Sequence, residues 1–388
     1  MTEPQPPQAH SAHVAVSLDN VIHNLGEIRK IVPPDAGIMA VVKDNAYGCG
    51  SVMIGKVLER HGVSCLAVAS TREARTLRDG LVTLPVLVFG PSTAEDVTWG
   101  ASNNILFSLN DIDDIDEWKH SGVVVRFHIA VDTGMGRLGI SPQEAQMAAD
   151  ALSDAPSLKC EGIYTHCAKA DESGTTTVDG QLALFKGVLG TLAKSKIRPH
   201  HIHYANSAAL LRFPLDPACT LVRPGIALYG CKPDPLQDFG IALKPVVSLK
   251  SFVVKVKRVS PGTPVSYGGR YVTKGDTRIA TISLGYGAGI PRRLSNIGTV
   301  LIRGRRYTIA GTVTMDYVMV DTGPSTDIRV GDEAVMLGCQ DGECVTADSV
   351  AAQAGTIGYE ILCGLSRRLD RYYYLGGKVV HFLPGQIF

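Results

Sequence analysis

Between residues 37 and 230 short apolar runs alternate with longer amphipathic segments, the pattern of repeated βα units around a parallel sheet. Eight runs stand out: GIMAVVK, CLAVAS, PVLVFG, NILFSL, VVVRFHIAV, CEGIYTHC, PHHIHYAN and TLVRPGIALYG. The segments between them, such as SVMIGKVLERHGV, TREARTLRDG, SPQEAQMAADALSDAP and TTTVDGQLALFKGVLGTLAKS, read as helices, several opened by a Ser or Thr able to cap one. Eight repeats in about 200 residues is the lower size range of a closed (β/α)8 barrel. After Gly240 the pattern changes to Val- and Ile-rich strands with Gly-bounded turns, in KSFVVKVKRVS, TRIATISLGYG, GTVLIRGRRYTIAGTVTMDYVMVD and GDEAVMLG. One helix interrupts them near TADSVAAQAG, with Thr346 as its expected cap. The chain therefore divides into a barrel over 12–240 and a mainly β C-terminal domain over 241–388.

Composition narrows the function classes. With 38 Lys+Arg against 37 Asp+Glu and a hydrophobic fraction of 45%, disorder is excluded and no global field attracts nucleic acid or anionic lipid. The basic strings KRV, RGRR and SRR are short and fall between strands. No stretch approaches the roughly 18 apolar residues of a membrane helix, and the opening MTEPQPPQAHSAH lacks an apolar signal-peptide core, so a cytoplasmic protein is expected. Nine cysteines lie scattered with no CxxC pair; no metal site is expected, and the thiols read as reduced core filler.

In a barrel of this type chemistry collects where the strands end. There the first run ends in Lys43, the fifth continues into Asp-Thr-Gly-Met-Gly-Arg137, the sixth carries His166, the seventh ends in Asn206 and Ser207, and the eighth holds Arg223-Pro-Gly225. Lys43 is either a snorkelling rim lysine or a nucleophile. A lysine that condenses with an aldehyde needs a neutral amine, and burial beside cations such as Arg137 and Arg223 lowers its pKa in that direction. Ser207 and Gly225-Ile226 fall where barrels commonly bind a phosphate, although Ser207 is also placed to cap the following Ala-Ala-Leu-Leu. A phosphate beside a reactive lysine suggests pyridoxal 5′-phosphate.

The strings AVVKDNAYGCG, VDTGMGRLGI, YTHCA, YANSAAL, RPGIALYG, LGYGAGIPRRLSN, VTMDYV and TIGYEILCGLSRR, in this order, resemble the alanine racemase family over residues 12 to 371. That resemblance implies a pyridoxal-phosphate barrel followed by a β domain, a head-to-tail homodimer, and interconversion of L- and D-alanine. It also implies that the N-terminal strand AHVAVSLD joins the β domain. Lys43 resembles the lysine that carries the cofactor and serves as base on one face of the substrate. Tyr286, from the partner subunit, resembles the base on the other face, since a proton removed from one side of Cα must be returned from the other. Tyr47, Ser207, Gly225, Ile226 and Tyr359 resemble the phosphate-binding group, with Asn206 beside them. Arg223 resembles the arginine facing the cofactor's ring nitrogen. His166 resembles the histidine that stacks beside the ring and links Tyr286 to Arg223, its alternative being a satisfied core histidine. Arg137 and the backbone N–H of Met315, again from the partner, resemble the groups that meet the substrate carboxylate.

The sequence also departs from that pattern. Ala130 stands where the family usually has a lysine, often carbamylated, that holds the arginine at position 137. Ala288 replaces an acid beside Tyr286, Thr312 replaces an arginine of the substrate access path, and Thr314 and Tyr317 differ nearby. These changes spare both bases and cluster on the substrate side, which leaves a racemase of other amino acids such as serine as an alternative on the same scaffold. A non-catalytic pyridoxal-phosphate-binding protein is a further alternative, disfavoured by Tyr286 and Met315 in the β domain. A decarboxylase of the same plan would need a substrate-reading Cys-Asp block that EILCGLSRR does not supply.

Overall fold

The computed structural model describes residues 11–172, 174–235 and 237–386, so the first ten residues and the last two, on which the reading of both ends touches, lie outside the described residues. All eight apolar runs form parallel strands. After a first strand β1 (His13–Ser17) come β2 (Gly37–Val41), β3 (Cys65–Val68), β4 (Val86–Val88), β5 (Ile105–Leu109), β6 (Val125–Ala130), β7 (Leu158–Tyr164), β8 (His201–His203) and β9 (Leu221–Val222). They lie in the order β8-β7-β6-β5-β4-β3-β2-β9, and β3, β4 and β5 are buried throughout, as strands covered on both faces must be. Because β8 and β9 are so short, the seam between them closes through a single bridge from Asn206 to Arg223. Thr220 reinforces it, its N–H donating to the Ile202 carbonyl at 2.9 Å and its hydroxyl accepting from the Ile202 N–H at 2.9 Å.

Helices cover the outside, and their ends follow local chemistry. Ser70 and Glu73 form a capping box on helix Thr71–Asp79, and Thr346 caps Ala347–Ala354 by accepting from the Ser349 N–H. The cap before Ser51–Arg60 is Gly50, with no side-chain bond.

In the second half, the long strand Val247–Val259 pairs antiparallel with Thr277–Ile282, with Glu333–Gln340 and with β1. On its other edge β1 runs parallel to Asp370–Leu375, which pairs with Lys378–Leu383. The first strand, β1, thus sits between two strands from the second half of the chain.

The thiols differ from the sequence reading at one place. Cys339 and Cys344 are disulfide-bonded. Their spacing resembles no metal or dithiol motif, but the tight hairpin between Glu333–Gln340 and Glu343–Val345 sets the two residues directly opposite each other, Cα atoms 4.1 Å apart. The other seven are free, five of them buried.

Candidate active site at the barrel mouth

A cleft of about 880 Å³ opens where the barrel strands end. Lys43, Tyr47, Arg137, His166, Asn206, Ser207, Arg223, Gly225, Ile226 and Tyr359 all line it. Tyr286 and Met315 do not; both project to the surface, 43% and 52% exposed. Their segments are tied together, Tyr286 N–H donating to the Thr314 carbonyl and Gly287 N–H to that of Met315, each at 2.9 Å.

Lys43 follows β2 and opens an unusual turn: Asp44, Asn45, Ala46 and Tyr47 have φ of 51°, 54°, 55° and 52°. Left-handed backbone costs an L-residue about 1–2 kcal/mol, so four in succession persist only where the surroundings hold them. Glu73 accepts from the Asp44 N–H at 2.5 Å while also accepting from the Ala69 N–H. Asn45 Oδ1 accepts from the Ser51 N–H, and Arg371 Nε donates to the Gly48 carbonyl at 2.8 Å. The turn brings Lys43 and Tyr47 to one cleft.

Burial, followed by the charge of Arg137, pulls the Lys43 amine below the usual lysine range, with Glu73, Cys363 and Asp44 opposing. The amine is therefore neutral, and nucleophilic, at lower pH than a surface lysine. Removing the guanidinium with Arg137→Leu should raise that pKa. We expect the rate at which an amine-specific reagent labels Lys43, followed by mass spectrometry across pH, to shift toward higher pH in the variant; an unmoved profile would refute the coupling.

Arg223 is 2% exposed and, among the described residues, is paired with no carboxylate. Its Nη1 donates to His203 Nδ1 at 2.7 Å and to the His203 carbonyl, its Nη2 to the carbonyls of Thr165 and Tyr204, and the guanidinium lies over the Tyr164 ring at 5.0 Å. With those four donations made, its Nε–H is the donor left for a ligand. His166 accepts from Asn206 Nδ2 at 3.4 Å rather than meeting Arg223 by a hydrogen bond. Burial, then Arg223, Arg137 and Lys43, push its pKa down to about 3, so it is neutral.

Ser207 does not cap the helix that it begins. Asn206 does, accepting from the Ala209 N–H at 2.9 Å, which frees the Ser207 hydroxyl to accept from the N–H groups of Gly225 and Ala227. Gly225 is required by space, because a Cβ there would run into Tyr47 Oη. Tyr47 is itself fixed, its ring 4.7 Å from that of Tyr229 and 6.2 Å from that of Tyr359.

Ala130, at the position where the resemblance implies a lysine, is buried on β6 in register with Tyr164. The loop after it is held instead by Asp132, whose Oδ1 accepts from the N–H groups of Gly134, Met135 and Gly136 at 2.8–3.0 Å. Among the described residues no side chain is bonded to the Arg137 guanidinium, which faces the cleft.

Sequence reasoning missed Glu73, Tyr164, His203 and Arg371. A signal existed for Tyr164: it precedes His166 by two, and side chains two apart share a strand face. Glu73 and Arg371 act from other elements, and no local pattern points to them.

A parallel barrel with a β domain appended, and a depressed lysine facing Arg137 and a carboxylate-free arginine across its mouth, define a barrel enzyme armed with a nucleophilic amine. The models of the alanine racemase N-terminal and C-terminal domains match residues 16–233 and 246–373. Alanine racemase of Geobacter sulfurreducens is 39% identical over 368 residues, 92% of this chain and 96% of that protein. Alanine racemase 2 of Bacillus subtilis is 40% identical over 377 residues, 94% and 95% of the two chains. The crystal structure of alanine racemase from Bacillus anthracis with bound L-Ala-P superimposes with a TM-score of 0.91 at 37% identity, covering 98% of this chain and 99% of that one. The chain belongs to the alanine racemase family, and is an amino-acid racemase by fold and sequence.

Proposed function

We propose that the protein interconverts L- and D-alanine, with pyridoxal 5′-phosphate held in the cleft at the barrel mouth and a second copy of the chain completing the site. The observation that carries this reading is the convergence on one cleft of Lys43 with a lowered pKa, the free Nε–H of Arg223, and the Tyr47–Ser207–Gly225 cradle.

The donor set suits the cofactor. Tyr47, Ser207, Ile226 and Tyr359 would receive the phosphate, Gly225 supplying a surface with no Cβ. Arg223 would face the ring nitrogen and, being unable to release its proton, leave that nitrogen without one. Lys43 would carry the aldehyde end. Pyridoxal phosphate bound there supplies the electron sink that makes a substrate Cα–H acidic.

The chain's own residues do the rest. The Arg137 guanidinium and the Met315 N–H of a second copy bind the substrate carboxylate and fix Cα between two bases. Lys43 Nζ takes or returns the Cα proton on one face, and Tyr286 Oη of the second copy does so on the other. Neutral His166 would stand beside the cofactor and place no extra charge there. The outward projection of Tyr286 and Met315 in a single chain supports their use in a neighbouring site. The domain division at about residue 240 puts both of them in the β half.

The reading is tested by incubating the cofactor-loaded protein with L-alanine in D₂O. Deuterium at Cα together with D-alanine is expected. Exchange and inversion with serine but not alanine would give the protein another substrate, and bound cofactor with no exchange on any amino acid would make it a carrier. Gly225→Ala should raise the Kd for pyridoxal phosphate about tenfold or more by displacing Tyr47; titration of cofactor-free protein by fluorescence measures this, and unchanged affinity would remove Gly225 from the cradle.

A further inference from the structure

The barrel interior beneath Arg223 holds polar side chains that the proposed reaction does not use. His128 of β6 pairs in register with Gly162 of β7, and Gly162 with His201 of β8. The β6–β7 ladder slips between Phe127 and His128, and such a bulge re-aims the side chain beside it. A Cβ on Gly162 would lie 2.6 Å from the His128 ring, so glycine is what leaves room for the imidazole.

The hydrogen bonds here have a forced direction. Arg223 Nη1 donates to His203 Nδ1 at 2.7 Å, and arginine has no lone pair with which to accept. His203 therefore carries its proton on Nε2, which lies 2.8 Å from His128 Nδ1. Receiving that bond, His128 must carry its own proton on Nε2. This Nε2 is fully buried and, among the described residues, has no partner, and neither has His201 Nδ1, the two rings being 5.9 Å apart. Burial, chiefly, holds His128 at about 3 and His203 well below its usual value, so both rings stay neutral and the direction persists at any working pH. Buried polar atoms without partners are rare, and ordered water is what commonly satisfies them. His201 also lines a cavity of about 600 Å³ at the far end of the barrel, a source for that water.

We propose that His128 is a positioning residue for the racemase reaction, acting through His203 to hold Arg223, and that a buried water joins His128 Nε2–H to His201 Nδ1. The function assigned to this relay rests on the reading of Arg223 as the group facing the cofactor. By occupying Nη1 from below, the relay keeps the guanidinium from turning and leaves Nε–H aimed into the cleft.

The test uses three variants of the full-length holoenzyme. His128→Leu removes the acceptor, His128→Asn retains one near the place of Nδ1, and Gly162→Ala displaces the ring without touching its chemistry. We expect His128→Leu and Gly162→Ala to lower kcat for L-alanine roughly tenfold or more with KM within about twofold, to raise the share of turnovers lost to transamination, and to alter the ¹⁵N signals of the His203 ring. His128→Asn should recover most of all three. Wild-type kcat and unchanged His203 signals in a folded His128→Leu protein would overturn the positioning role; if that variant does not fold, the same result in Gly162→Ala does so. A high-resolution crystal structure with no density between His128 and His201 would overturn the water. Absence of racemisation in the wild-type protein would instead overturn the functional reading, while the His203 signals and the crystal structure would still judge the relay.

Discussion

Lys43→Ala and Tyr286→Phe should each abolish alanine racemisation, and mixing the two inactive proteins under conditions that exchange subunits should return about a quarter of wild-type activity. On the proposed two-base reading each change removes a base that must act within one turnover, and losing a positioned general acid or base costs about 10²–10⁴-fold; Lys43→Ala would also remove the proposed attachment point of the cofactor. In a mixed dimer, one site receives both lesions and the other receives Lys43 from one chain and Tyr286 from its partner. Half of randomly paired dimers are mixed and half of their sites are intact, hence about a quarter. The outward placement of Tyr286, away from its own chain's cleft, motivates the design. No recovery on verified subunit exchange would mean that each chain builds its site alone.

Arg371→Met should destabilise the protein by about 3 kcal/mol and disturb Lys43 from a distance. Arg371 is 2% exposed and donates to four carbonyls, those of Gly48, Leu365, Leu369 and Ser366. Stranding buried acceptors costs about 1–3 kcal/mol each, partly offset because a buried cation with no carboxylate partner is itself unfavourable. The methionine fills most of the volume, so packing loss is small. The Gly48 bond is the one with a functional consequence, since it anchors the left-handed turn from Asp44 to Tyr47. Urea unfolding gives the stability change, and faster or slower labelling of Lys43 in the folded variant reports on the turn. Stability within about 0.5 kcal/mol of wild type, with unaltered labelling, would show that the turn holds itself.

The barrel was legible because its signal is local and repeated: eight short apolar runs alternating with longer amphipathic segments. The cleft was legible for the same reason, since residues that close a strand are found by reading to its end. Three features lay beyond that kind of reading. The turn at Asp44–Tyr47 contradicts local preference, containing no glycine until Gly48, and exists because Glu73 and Arg371 reach it from elsewhere. The Cys339–Cys344 bond depends on a hairpin register that spacing alone does not reveal. The cap on helix Ser207–Arg212 moved from Ser207 to Asn206 because two N–H groups from the β9 loop claim the serine hydroxyl.

The placement of β1 has a consequence for how the chain is made. Its pairing strands lie at Val247–Val259 and Asp370–Leu375, and the carboxylate of Asp19 receives a hydrogen bond from Gly376, 357 positions away. During synthesis the barrel can assemble while β1 waits, but the sheet that receives it is incomplete until Asp370–Leu375 has been made. At ordinary elongation rates β1 keeps at least one edge unpaired for roughly 20 to 70 seconds. Loss of Asp370–Leu375 by a late stop codon would therefore leave β1 with one edge unpaired, its other edge still held by Val247–Val259.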